Sequence, residues 1–203
     1  MSMSTPTFNR TLISIPDTRP LARLSWATLL VVVGVAAIAL SAQIRISIPP
    51  SPVPITGSTL GVLLIAASYG KRLGAATVGT YLIAGVAGLP VFAGWHSGMA
   101  ILNGATGGYL IGFLAASWIV GELAESRWDR SPWLMIAAMV IGNIVIYACG
   151  VTHLSSIVGW NRVWALGVAP FLIGDAIKIA LAAAALPIAW RLKERDTVPL
   201  DGA

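Results

Sequence analysis

"PFLIGDAIKIALAAAALPIAW", residues 170–190, is an apolar run long enough to cross a bilayer as one helix, which takes about 20 residues. The run nevertheless carries Asp175 and Lys178, three residues apart. A charge at bilayer depth costs at least ~2.5–3.5 kcal/mol on insertion scales, so two ionisable groups in one span point to function rather than to anchoring. At helical spacing i and i+3 they project from one face, and the turns that follow, "IALAAAAL" (179–186), are small and apolar. The structural alternative is a self-neutralising pair, with the acid favoured near a helix N-terminus.

The rest of the chain reads the same way. It has 203 residues, 57% of them hydrophobic and 10% charged, with a net charge of +5. Its mean hydropathy is +0.82. This is the composition of a polytopic membrane protein. The positive charge does not mark a nucleic-acid partner, because the basic residues stand at the ends of apolar runs, where orientation in a lipid bilayer requires them. Cys149, the single cysteine, lies inside an apolar run. That excludes an intrachain disulfide and argues against a thiolate metal site. No cofactor and no metal are expected.

Six apolar spans are expected, roughly 21–44, 55–70, 72–89, 106–124, 132–152 and 166–190, giving an all-α bundle of six transmembrane helices. The second and third are joined only by "GKR" (70–72), a tight helical hairpin. Glycines throughout the spans allow close helix packing in lipid. In a six-span arrangement Arg10, Arg19, Arg23, Lys71, Arg72, Arg127, Arg130, Arg191, Lys193 and Arg195 fall on one side, with Arg45 and Arg162 on the other. By the positive-inside rule both termini are then cytoplasmic. The first run exceeds the 7–15 apolar residues of a signal peptide, so it is read as a retained span. The expected organisation is a flexible cytoplasmic segment over residues 1–20, a transmembrane binding unit over 21–192 and a short cytoplasmic tail over 193–203. The location expected is the bacterial cell membrane, with multiple crossings.

Span six then enters from outside, with Pro170 as its first-turn residue and Asp175 and Lys178 in its outer half. Two outer loops lie over it. "PPSPVPIT" (49–56) is rich in proline and stiff, suited to a wall of fixed shape. "GLPVFAGWHSGMAILNGATGGYLIGF" (88–113) is apolar and rich in glycine, with Phe92, Trp95, His96, Asn103, Thr106 and Tyr109 interspersed. Packed into the mouth of the bundle, it roofs a pocket with aromatic walls and a few polar contacts. Asn143 and Tyr147, inside span five, are read as helix-to-helix hydrogen-bonding residues.

Five segments carry a family resemblance: "AQIRISIPPSPVPIT" (42–56), "GLPVFAG" (88–94), "GATGGYLIGF" (104–113), "IYACG" (146–150) and "PFLIGDAIK" (170–178). In this order and spacing the chain resembles BioY, the biotin-binding S component of energy-coupling factor (ECF) transporters. The resemblance implies a six-helix membrane protein that takes biotin from outside, with transport powered by an ECF transmembrane coupling subunit and a pair of ABC-type ATPases. It also implies that Asp175 and Lys178 hold biotin. The chain departs from the family pattern at Thr-Gly-Ser-Thr-Leu (56–60), at Trp95, His96 and Ser97, and at Ala105. Biotin's chemistry fits such a pocket. A lysine offers a point charge to the valerate carboxylate, and an ionised aspartate accepts from the ureido N–H groups. His96 is a candidate donor to the ureido oxygen, and Asn103, Thr106 and Tyr109 are candidate wall residues.

The chain carries no engine for transport. Its one Gly-Lys, Gly70-Lys71, is followed by Arg72 and lacks the upstream glycine of a phosphate-binding loop. Ala37 and Ser41 give span one a small-x-x-x-small face suited to a partner in lipid. Three other readings compete: the same fold with a different anionic vitamin, a purely structural subunit, and an intramembrane hydrolase using Thr106 of "GATG" (104–107) with His153 or His96 as base.

Overall fold

Pro20 opens helix α1 (Pro20–Gln43), at the first-turn position where its missing N–H costs nothing. The computed structural model describes residues 11–13, 15 and 19–196. Most of the expected cytoplasmic segment 1–20, with Arg10, lies outside the described residues, as do residues 197–203 of the tail. The side chain of Arg195 also lies outside them. Only one stripe of α1, carrying Gly34, Ile38, Ala39 and Ala42, is buried, while Leu24, Leu29, Val32, Val33 and Leu40 face outward. A helix that is apolar all round and buried on one stripe belongs in lipid.

The proline-rich segment forms a small hairpin. Strand β1 (Arg45–Ile46) pairs antiparallel with β2 (Ile55–Thr56), with Arg45 opposite Thr56. Helix α2 (Ser58–Val86) is interrupted at Gly70, whose φ of 81° suits glycine alone among common residues. Its two arms, 58–69 and 71–86, fold back on each other. A Cβ placed on Gly74 would lie 2.9 Å from Ala66 Cα, an approach that a continuous helix does not allow. The hairpin expected at "GKR" is therefore present. Its arms carry the centre of the core, with Val62, Leu63, Ala66, Ala67 and Val78 fully buried.

A short helix, α3 (Met99–Asn103), precedes α4 (Gly107–Glu125), which packs by its glycines. At Gly112 a Cβ would stand 2.9 Å from Ile146 Cα of α5, and at Gly121 it would stand 2.5 Å from Lys71 N. Helix α5 (Pro132–Val158) runs beyond the expected end at residue 152. Span six was expected from residue 166. The chain instead forms a separate helix, α6 (Trp160–Gly167), then a 3₁₀ turn (Ala169–Phe171) that contains Pro170, and only then α7 (Leu172–Asp196). Pro170 is thus in the turn before the helix, and Asp175 is in the helix's first turn. The physical reason is the amphipathicity of α6. Val163 and Leu166 turn inward while Trp160 and Trp164 face out, a pattern that lies along an interface rather than crossing it.

Among the described residues four helical stretches are long and apolar enough to cross a membrane: Pro20–Gln43, Gly107–Glu125, Pro132–Val158 and Trp160–Glu194. The chain is a mostly helical, multi-pass membrane protein. Each arm of α2 is shorter than the ~20 residues of an upright crossing. Charged groups collect at the end where the α2 turn lies. Lys71 pairs with Glu122, the Lys71 N–H donates to Glu125 Oε1 at 2.9 Å, and Arg130 pairs with Glu194 at 3.1 Å. Asp129, fully buried there, accepts from the Trp190 indole, and burial pushes its carboxyl above the ordinary range.

Candidate functional site

At the opposite end of the bundle the helices leave a cavity of about 320 Å³. That is near the lower end of the ~300–1,000 Å³ typical of small-molecule sites, so it holds one compact ligand rather than a chain segment. Its aromatic wall is built from five segments of the chain. Tyr81 of α2 meets Phe92 edge-on at 5.5 Å between ring centroids. Tyr109 of α4 meets Tyr147 of α5 edge-on at 6.5 Å and lies 6.3 Å from Phe171. These offset geometries let a flat or bicyclic apolar body pack against rings already fixed by their neighbours.

The polar centre is on α7. Asp175 is 7% exposed. Lys178 Nζ donates to Asp175 Oδ1 at 3.0 Å, and the Tyr147 hydroxyl donates to Asp175 Oδ2. The cluster is neutral in sum, with the acid charge compensated by the lysine one turn on and one carboxylate oxygen held by each donor. All three residues line the cavity, so the cluster offers a ligand both acceptor and donor groups without an uncompensated charge.

The mouth is held by Gln43, at the end of α1. Its side-chain carbonyl accepts from the N–H groups of Gly94 and Trp95, each at 3.0 Å, and its amide donates to the Phe92 carbonyl at 3.2 Å. These bonds fix the loop that presents Phe92 and His96. His96 lines the cavity, with Nδ1–H donating to the Ala93 carbonyl at 2.8 Å. Thr106 and Tyr109 also line it. The Tyr109 hydroxyl donates to the Gly167 carbonyl at 2.8 Å, so this residue offers its ring to the cavity and its polar tip to the α6 end. Asn103 does not join them. It sits exposed at the last residue of α3 and is absent from the cavity wall.

Sequence reasoning missed some of the wall. Arg45 and Asn143 line the cavity, and Tyr147 belongs to its polar centre rather than to helix pairing alone. The intact "AQIR" segment and the polar groups inside an apolar span were the available signals. The hydrolase arrangement does not assemble. His153 Nε2–H donates to the Gly104 carbonyl at 3.0 Å, His96 is bonded to Ala93, and the Thr106 hydroxyl faces the Ile101 carbonyl at 3.4 Å. Among the described residues no group of three or more His, Cys, Asp or Glu side chains is placed to hold a metal ion.

A helical membrane bundle with an aromatic cavity and a neutral, largely buried acid–lysine pair belongs to the class of membrane-embedded small-molecule binding proteins. The chain belongs to the BioY family, whose family model it matches over residues 15–195. It is 41% identical over 152 residues to the biotin transporter BioY of Thermotoga maritima, covering 74% of this chain and 87% of that one. It is 38% identical over 164 residues to a probable biotin transporter BioY of Pyrococcus horikoshii, covering 81% of this chain and 94% of that one. Among solved structures it shares the fold of the S component for biotin from an ECF-type ABC transporter. The TM-score there is 0.71 and the identity 23%, over 89% of this chain and 95% of the other. The relatives so named are transporters, not enzymes.

Proposed function

We propose that this chain is a membrane-embedded biotin-binding subunit for biotin uptake, working as the S component of an ECF transporter. The observation that carries the reading is the neutral Asp175–Lys178–Tyr147 cluster inside an aromatic cavity, in a chain of the BioY family. Biotin joins a polar ureido ring to an apolar bicyclic body and a carboxylate tail. The ring's N–H and carbonyl groups match acceptor and donor on α7, and the body matches the walls of Tyr81, Phe92, Tyr109 and Phe171. Asp175, Lys178, His96, Thr106 and Tyr109 are proposed to line the bound ligand, with Asn103 outside that set.

Residues 21–192 form the binding unit in this proposal. It makes six crossings in the bacterial plasma membrane, with the two arms of α2 counted as one crossing each and both termini cytoplasmic. The gathering of Lys71, Arg130 and Lys193 near one end and of the cavity at the other supports that orientation. Energy comes from partners, an ECF transmembrane coupling subunit and a pair of ABC-type ATPases.

The test is equilibrium binding of labelled biotin to the purified chain in detergent, with competitors. Biotin binds without any partner, and excess thiamine or riboflavin leaves it bound. Absence of saturable biotin binding, with labelled thiamine or riboflavin bound in its place, assigns the cavity to a different vitamin.

A further inference from the structure

Helix α6 carries two tryptophans that the rest of the bundle leaves open. At about 100° per residue its eight positions fall into three faces. Val163, Leu166 and Gly167 turn inward and are buried, while Asn161, Arg162 and Ala165 form an exposed face of polar and small residues. Trp160 and Trp164 stand between these faces, 67% and 64% exposed. Indoles left that open suit the headgroup boundary of a bilayer, where the ring is in apolar surroundings and its N–H stays wet. The length of α7 supports the same placing. Its 25 residues span about 37 Å, already enough for a ~30 Å hydrocarbon core, so α6 has no hydrocarbon left to cross. Leu172 and Ile173, the first residues of α7, are exposed and apolar, which brings lipid to the head of α7, one 3₁₀ turn from α6. Arg162 has no carboxylate partner among the described residues and complements the phosphates of that boundary.

The far end of α6 is fastened to the cavity wall. The Leu166 carbonyl accepts from the Ser51 hydroxyl at 2.7 Å, and the Gly167 carbonyl accepts from the Tyr109 hydroxyl at 2.8 Å. A Cβ on Gly167 would meet Tyr109 Oη at 2.6 Å and Leu154 Cδ2 at 2.7 Å, so this end is pressed against α4 and α5. Ser51 belongs to the proline-rich segment, whose Pro52 and Val53 line the cavity, and the turn that leaves α6 carries Phe171. We infer that α6 is a lipid anchor for the site: Trp160 and Trp164 seat in the headgroup–acyl boundary of the leaflet on the cavity side, and their hold positions the wall bonded to Leu166 and Gly167. The partner is the phospholipid surface itself. The inference rests on the proposed biotin reading only for its effect on the ligand; the seating of the tryptophans does not depend on what the cavity binds.

The experiment has two arms, both on the full chain in nanodiscs of phosphatidylcholine and phosphatidylglycerol. In a Cys149→Ala background, nitroxide labels at Trp164→Cys and at Asn161→Cys are compared for relaxation by oxygen, which concentrates in lipid, and by a water-soluble nickel chelate. The label at 164 is expected to favour oxygen and the label at 161 the chelate. In the second arm the dissociation constant of biotin is measured for the wild type, for the double variant Trp160→Ser with Trp164→Ser, and for the pair Trp160→Tyr with Trp164→Tyr. The serine pair is expected to weaken biotin by about three- to tenfold, the range of one hydrogen bond's net contribution, and the tyrosine pair to keep most of the affinity. Both tryptophans are exposed, so these variants leave the core intact. The inference is overturned if the label at 164 meets the chelate as readily as that at 161, which places α6 in water, or if both favour oxygen, which places it in the hydrocarbon. It is equally overturned if the serine pair binds biotin as the wild type does. Absence of biotin binding to the wild type overturns the function reading, while the label accessibilities still decide the seating of α6.

Discussion

Gln43 holds the mouth of the cavity through groups that no local pattern reveals. Its partners are the backbone N–H groups of Gly94 and Trp95 and the carbonyl of Phe92, about 50 residues further along the chain. Replacing it with alanine leaves three backbone groups to water and frees the loop that carries Phe92 and His96. Gln43→Ala is expected to weaken biotin binding by about tenfold, since each such bond contributes ~0.5–1.5 kcal/mol net. Thermal unfolding should change little, because the loop is peripheral to the core. Binding constants measured for Gln43→Ala and Gln43→Glu check this, the glutamate keeping the acceptor; unchanged binding in Gln43→Ala means the loop is held by other contacts. The same distinction explains what could be read at this scale. Asp175 and Lys178 stand out in sequence because charge in an apolar span is costly, and His96, Thr106 and Tyr109 by their side-chain chemistry. Asn103 has suitable chemistry but sits exposed at the end of α3, off the cavity wall, and Gln43 looks like any polar helix end.

At the scale of elements, "GKR" was legible because two cations after a glycine cannot rest in the middle of a bilayer. The turn at Gly70 brings Lys71 against Glu122 and Glu125 at the end of α4. Helix α6 was not legible. "WNRVWALG" is too short and too polar for a span, and its eight residues become helical by burying Val163 and Leu166 under an outward face of tryptophans. If each arm of α2 crosses once, residues 72 and 156 face opposite sides of the membrane. In a Cys149→Ala background, Ser156→Cys should react with an impermeant thiol reagent added to intact cells, and Arg72→Cys only after the membrane is opened. Both positions are exposed. Reaction of position 72 from outside removes the hairpin crossing from the topology.

The whole molecule divides its labour between two ends. One gathers ion pairs and the buried Asp129–Trp190 bond, the other encloses an aromatic cavity with a neutral polar centre and a cation at its rim. The glycine-lined contacts of α4 with α5 and with the α2 turn join them into one packed body. Capture of biotin by this chain alone is the central claim of the proposed function. The most direct measurement is the stoichiometry of biotin bound to the purified chain, free of partners, for the wild type and for Ala105→Phe. Ala105 lines the cavity and is half-buried, so the added ring takes up the space a ligand would fill. The account predicts one biotin per wild-type chain and a loss of binding in Ala105→Phe at retained thermal stability. Equal binding by the two proteins, or none by the wild type, contradicts it.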